Sequence, residues 1–334
     1  MYLKKKQNLF ILELFLFFIY AILIILGIKE FSIWQQITYY LSNDFNGNNE
    51  TLLSLFETNH PHFLRIFILY VIYQISLFFA LDITFIYNLL LLFLLFFTYI
   101  FIKKIIFDIF NFIDYKILGV LFFYFLLSFF MNGRIIFAIF GNTLLLYGLY
   151  FNIYSINQKI TNFKLVIIVI FSLLITSVSS GTFMVCLLTI FLFYFFIIVV
   201  RFPFLEKKII YMIFFIFIII SSIIPLITQF INKNLDFYDG SILKMLEHGF
   251  GKYLEAYVYI VLPLLLFLPF IFIIGYYFLS KNHKLILSFS LILSSLFIGL
   301  FGFSSLFSGI SGFVLLIINN LYNVKKADYC QKKY

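Results

Sequence analysis

Residues 63–80 read FLRIFILYVIYQISLFFA, and whether this run crosses a bilayer decides the topology of everything that follows it. It is one of eleven apolar runs, at about 9–27, 63–80, 84–102, 117–131, 135–153, 164–179, 182–200, 209–229, 256–279, 285–300 and 303–321. Runs of roughly 18 or more apolar residues are long enough for membrane-spanning helices. If the N-terminus is cytoplasmic and 63–80 does not cross, only Lys29, Arg65, Arg134, Lys233, Lys244 and Lys252 of the 23 basic residues fall outside. The other 17 are then cytoplasmic. If 63–80 does cross, every later loop changes side and 16 basic residues fall outside. Cytoplasmic loops carry the excess of Lys and Arg, so the first arrangement is the expected one. The sequence therefore predicts an all-α polytopic integral membrane protein with about ten transmembrane helices. An outer interfacial or re-entrant segment at 63–80 and two cytoplasmic termini complete it.

The composition permits little else. Of 334 residues, 64% are hydrophobic and 11% charged, and the mean hydropathy is +1.11, whereas soluble domains carry about a quarter charged residues. The net charge of +9 sits at the ends of apolar runs, so it marks membrane topology and not a nucleic-acid partner. Residues 1–27 have the basic start of a signal peptide. The apolar run is long and no small-residue cleavage site follows, so it reads as a retained first helix. Cys186 and Cys330 fit neither a disulfide framework nor a metal-ligand spacing. No P-loop, dinucleotide loop, zinc-protease motif or nucleophile elbow is present. The chain reads as a single transmembrane domain over 1–334, with outer loops at about 28–62 and 230–255 and a cytoplasmic tail at 322–334.

Polar residues are concentrated in those outer loops. The loop at 28–62 contains NDFNGNNE and ends in FETNHPH. Its Asn, Gly and Pro residues break a helix, and its backbone could not be satisfied within hydrocarbon. Glu57, His60, His62 and Arg65 form its densest cluster, with Asp44 a second carboxylate. Pro61 is placed to start a helix with Arg65 on its first turn. A carboxylate beside histidines can act as a general base, and an arginine can grip an anion; the bland reading is a solvated interfacial loop. Arg134, in MNGRIIFAIFG, opens a helix after a short polar turn. Its planar fork suits phosphate, whereas a snorkelling cation at a helix end could as well be lysine. The segment 236–255 carries Asp239 and His248 on a partly amphipathic pattern. Asp82, Asn88 and the 177–182 run SVSSGT read as helix-packing features. Glu13 is expected to pair with a nearby lysine.

The first 150 residues resemble the membrane polymerases of bacterial surface polysaccharides, the O-antigen and capsule repeat-unit polymerases. The resemblance lies in one helix, an acidic outer loop, the Glu57-x-x-His60-Pro61 element, a hydrophobic segment, a span ending at Lys103–Lys104, and Asn132-Gly133-Arg134 opening a later span. More broadly it is similar to lipid-phosphosugar-dependent glycosyltransferases. The resemblance implies a multi-pass protein of the bacterial inner membrane that joins polyprenyl-pyrophosphate-linked oligosaccharide repeat units. Arg134 and Arg65 would hold the pyrophosphate, and Asp44 or Glu57, with His60, would activate the acceptor hydroxyl. His62, Asp239 and His248 would contact substrate. No metal or cofactor is called for. The partners implied are the lipid-linked oligosaccharide, membrane lipids, and a chain-length regulator and flippase of the same pathway. The alternatives are a glycosyltransferase using a polyprenyl-phosphate sugar donor and a lipid-linked sugar transporter or flippase. A flippase path should be lined by charge through the helix centres, and these are almost uncharged.

The topology is checked by single-cysteine labelling from outside intact cells. Cysteines at Asn46 and Gly240 should react and one at Ile160 should not. Reaction at 160 would reverse the assignment of sides.

Overall fold

The computed structural model describes residues 13–15, 17–22, 26, 57, 63–110, 115–129, 131, 133–155, 159–201, 285–299 and 303–319, with single residues between 221 and 244. Among these the secondary structure is helical and no strand occurs. An N-terminal apolar helix spans Glu13–Ile22. Then follow α1 (Phe63–Phe79), α2 (Ile83–Phe110), α3 (Tyr115–Phe129), α4 (Gly133–Ile153), α5 (Asn162–Thr176), α6 (Ser180–Arg201), α7 (Ile286–Gly299) and α8 (Phe303–Phe307). A C-terminal helix covers 310–319.

Three apolar stretches are long enough to cross a membrane: Ile83–Ile109, Gly133–Ile153 and Ser180–Ile198. These mark the chain as a membrane protein. The other described apolar helices are shorter, so the described residues do not supply the ten crossings expected. Two boundaries also differ from expectation. Helix α2 runs on past Lys103 and Lys104 to Phe110. The apolar run 303–321 is divided by a turn at Ser308 and Gly309.

The bundle is built around α4, in which sixteen of 21 residues are buried. Glycines let its neighbours approach. A Cβ at Gly141 would lie 2.6 Å from Thr176 Cγ2, and one at Gly148 would lie 2.6 Å from Ile168 Cγ2. Helix α5 thus packs antiparallel to α4 along a seven-residue glycine spacing. On another face Gly133 abuts the Tyr87 hydroxyl of α2. At the far end of that seam the Phe101 and Tyr147 rings stack at 4.7 Å, and the Tyr150 hydroxyl donates to Asp108 at 2.9 Å. Helices α2 and α4 are therefore parallel, with α3 returning between them in sequence. Close backbone approach of this kind holds helices together where lipid is as apolar as the side chains. Helix α6 packs antiparallel to α7, with Gly181 near Ile298 and the Phe196 and Phe289 rings 5.5 Å apart. The C-terminal helix lies against α7 through Gly309 and Gly312.

Helices α1 and α2 are joined by a tight turn. The Leu81 amide donates to Ser76 O at 3.0 Å and the Ala80 amide to Leu77 O at 3.3 Å, with Ala80 at φ 51°. This is the Schellman closure, which ordinarily places glycine at the left-handed position. Helix α1 buries Ile66, Leu69, Ile72 and Ser76 along one stripe and leaves Phe67, Val71, Ile75 and Phe78 exposed.

Two substitutions should shift stability in opposite directions when Tm is measured on detergent-purified protein. Gly148→Leu should cost about 1–3 kcal/mol, because the added side chain must push α5 away. Ala80→Gly should stabilise by about 0.5–1 kcal/mol by relieving the left-handed alanine.

Candidate functional site

The packing sorts the polar residues into two ends of the bundle. Because α2 and α4 are parallel, Asp82 and Arg134 share one end and Asp108 and Ser155 the other. The antiparallel α5 places Lys164 beside the second end, and its C-terminal Thr176 meets α4 at Gly141, seven residues in from Arg134. Lys103, Lys104, Lys159 and Lys164 thus gather at one end, away from Arg134.

Arg134 is the second residue of α4 and is half-buried. It lies seven residues before Gly141 and fourteen before Gly148, so it heads the face of α4 that packs on α5. The first-turn amides of a helix carry partial positive charge, and a guanidinium there reinforces it. The wall next to Arg134 is fixed, because Gly133 has the Tyr87 side chain against it. Across the same end, Asp82 caps α2. Its Oδ2 accepts from the amides of Thr84 at 3.1 Å and Phe85 at 3.3 Å, and from the Thr84 hydroxyl. Asp82 is exposed, so it is a cap and not the packing residue expected. Asn88 is buried. The 177–182 turn does serve packing: Gly181 meets Ser305, and the Thr182 hydroxyl donates to Thr176 O at 2.6 Å.

The other expected site residues are placed less fully. Glu57 is helical and exposed. Arg65 is in the first turn of α1, as the position of Pro61 suggested. Asp44, His60, His62, Asp239 and His248 lie outside the described residues. No group of three metal-ligating side chains occurs among the described residues.

The opposite end holds two polar clusters. Glu13 forms an ion pair with Lys103 and accepts from the Tyr99 hydroxyl at 2.6 Å. The expected lysine partner is thus real, ninety residues away. Asp108 accepts from Tyr150 at 2.9 Å and from Ser155 at 3.1 Å. Lys104 Nζ sits 5.8 Å from the centre of the Tyr147 ring. Phe17 follows Glu13 and meets Phe96 at 4.4 Å, so the N-terminal helix is antiparallel to α2. Its far end is then at the Arg134 end, where α2 begins. The chain between residues 22 and 83 therefore leaves and re-enters the bundle at the same end.

Comparison with protein-family models, curated proteins and solved structures finds no match to this chain.

The Glu13–Lys103 pair can be tested by charge exchange. Glu13→Lys and Lys103→Glu should each destabilise by about 1–3 kcal/mol, since each leaves a half-buried charge facing its like. The double exchange should recover most of the loss of Tm. Additive losses would mean that the two side chains do not interact.

Proposed function

We propose that this chain is a bacterial inner-membrane polymerase of polyprenyl-pyrophosphate-linked oligosaccharide repeat units, serving O-antigen or capsule synthesis. The observation that carries the proposal is the position of Arg134, in the first turn of the most buried helix and at the end opposite Lys103, Lys104, Lys159 and Lys164. In this reading the lysine end is cytoplasmic and the Arg134 end faces outward, with ten crossings in all. The segment from residue 22 to 83 starts and finishes at one end, which requires an even number of crossings. We take that number as zero, because the loop at 28–62 is polar, which puts α1 at the outer interface in this reading.

Arg134 offers a bidentate fork to the pyrophosphate, supported by the positive end of α4. There it stabilises the charge that grows on the leaving pyrophosphate as the glycosidic carbon is transferred. Arg65, at the start of α1, supplies a second positive group. Asp44 or Glu57, with His60, takes the proton of the acceptor hydroxyl. His62, Asp239 and His248 contact the sugars. The glycan moves to the acceptor, the proton to the base, and the polyprenyl pyrophosphate departs.

Arg134→Lys keeps the charge and loses the fork. Loss of a charge-assisted hydrogen bond worth about 1.5–3 kcal/mol lowers a rate roughly ten- to hundredfold. The readout is glycan chain length on gels from cells expressing each variant equally. Short glycans with Arg134→Lys are expected. Full-length glycan with Arg134→Lys, and a defect in Arg134→Ala that merely follows protein level, would leave Arg134 only an anchoring role.

A further inference from the structure

One face of α2 carries a row of exposed or half-exposed side chains, Phe93, Phe97, Phe101 and Lys104, spaced three or four residues apart. Three are aromatic rings and the fourth is a charge. The rings continue onto α4: Phe97 stacks on Phe101 at 6.4 Å and Phe101 on Tyr147 at 4.7 Å, and Lys104 Nζ lies 5.8 Å from the centre of the Tyr147 ring. Lys104 lies 21 residues after Ile83, the first residue of α2. At about 1.5 Å per residue that is about 31 Å along the helix, which matches the hydrocarbon thickness of a bilayer, about 30 Å. An ammonium there stands at the level of the phospholipid phosphates, with a strip of rings beneath it in the acyl region.

Two more lysines reach the same end of α4 from its connection to α5. The Ile160 amide donates to Phe151 O at 3.1 Å, and Asn152 Nδ2 donates to Ile160 O at 2.9 Å and to Asn162 Oδ1 at 3.0 Å. This clip holds Lys159, the neighbour of Ile160, by the last turn of α4. Lys164 is in the first turn of α5, beside Leu165, whose Cδ1 would lie 3.4 Å from a Cβ at Gly148. Gly148 follows Tyr147, and the Phe151 ring packs on the Tyr147 ring at 4.7 Å. Lys104, Lys159 and Lys164 therefore stand around the last two turns of α4, from α2, the connection and α5. All three are exposed, and none is ion-paired with a described carboxylate. Glu13 is taken by Lys103, and the two oxygens of Asp108 accept from Tyr150 and Ser155. Phe163, 76% exposed, adjoins Lys164. This end of the bundle thus joins unneutralised point charges, which suit a phosphate, to exposed apolar side chains. A free phosphate would use only the cations, and an acidic soluble protein would leave the Phe97 and Phe101 strip unused. A lipid with an anionic headgroup meets both.

We propose that this end binds one anionic phospholipid, with its phosphate held by Lys104, Lys159 and Lys164 and an acyl chain lying along Phe101 and Phe97. The site is separate from Arg134 and does not rest on the polymerase reading. It is tested on the full chain in dodecyl maltoside by following Tm as phosphatidylglycerol, phosphatidylcholine of the same acyl chains, or inorganic phosphate is added. The expected result is a saturable rise of about 2–4 °C with phosphatidylglycerol and none with the other two. Lys164→Gln should weaken the apparent affinity roughly fivefold, and the triple variant Lys104→Gln, Lys159→Gln, Lys164→Gln should abolish the rise. The double variant Lys325→Gln, Lys326→Gln removes charge elsewhere in the chain and should keep it. Equal responses of the wild type to the two lipids would overturn the proposal, whether or not the variants accumulate. So would an equal rise with inorganic phosphate, an unchanged affinity in Lys164→Gln, or an equal loss in the Lys325 and Lys326 variant, which would mark a diffuse charge effect.

Discussion

Helix α4 has almost no surface left for lipid, and its burial constrains every helix around it. In a bilayer, apolar side chains gain little by leaving lipid for protein, so association rests on close van der Waals fit and on polar contacts. Each face of α4 meets that requirement differently. Gly133 admits Tyr87 of α2, Gly141 and Gly148 admit α5, and Thr143 reaches the C-terminal helix through Ser311. Helix α5, by contrast, buries only Leu165, Ser172 and Thr176. Its outward Phe163, Val166, Ile167 and Ile170 are in keeping with a lipid-facing element.

The polar contacts are graded along the bundle. Near the ends, among the described residues, Glu13 meets Lys103, Asp108 accepts from two hydroxyls and Asp82 caps α2. Neutral hydroxyls and one amide occupy the middle. Moving a charge into hydrocarbon costs more than moving a hydroxyl that can bond its own helix backbone. The gradient also fixes the direction of the N-terminal helix, because Glu13 can reach Lys103 only if that helix runs against α2.

Much of this was legible in the sequence. The apolar runs give the described helices nearly to the residue, since α3, α4, α5, α6 and α7 each begin and end close to a polar turn. The exceptions share a cause. Lys103 and Lys104 look like a helix end, but α2 continues because Glu13 and Tyr147, remote in sequence, receive them. The run 303–321 looks continuous, but Gly309 lies against Ser295 and the helix breaks there. As for the candidate site, the turn before Arg134 was readable as a helix start, while the wall beside it was not, because Tyr87 arrives from another helix. Asn142 and Thr143 are only two polar residues diluted in IIFAIFGNTLLLYGLY. A lone Asn–Thr pair at the middle of a span was the signal available.

The Glu13–Lys103 pair also bears on how the chain is made. Glu13 enters the membrane with the first helix, but its partner is synthesised ninety residues later. At about 5–20 residues per second, the carboxylate waits roughly 5–18 s before Lys103 and Tyr99 exist. During that interval the first helix holds an acidic side chain with neither its countercharge nor its hydrogen-bond donor, and it is poorly anchored. The arrival of α2 supplies both partners, and the N-terminal helix then packs against it as an antiparallel pair. The segment around Glu13 is thereby secured by one synthesised ninety residues later.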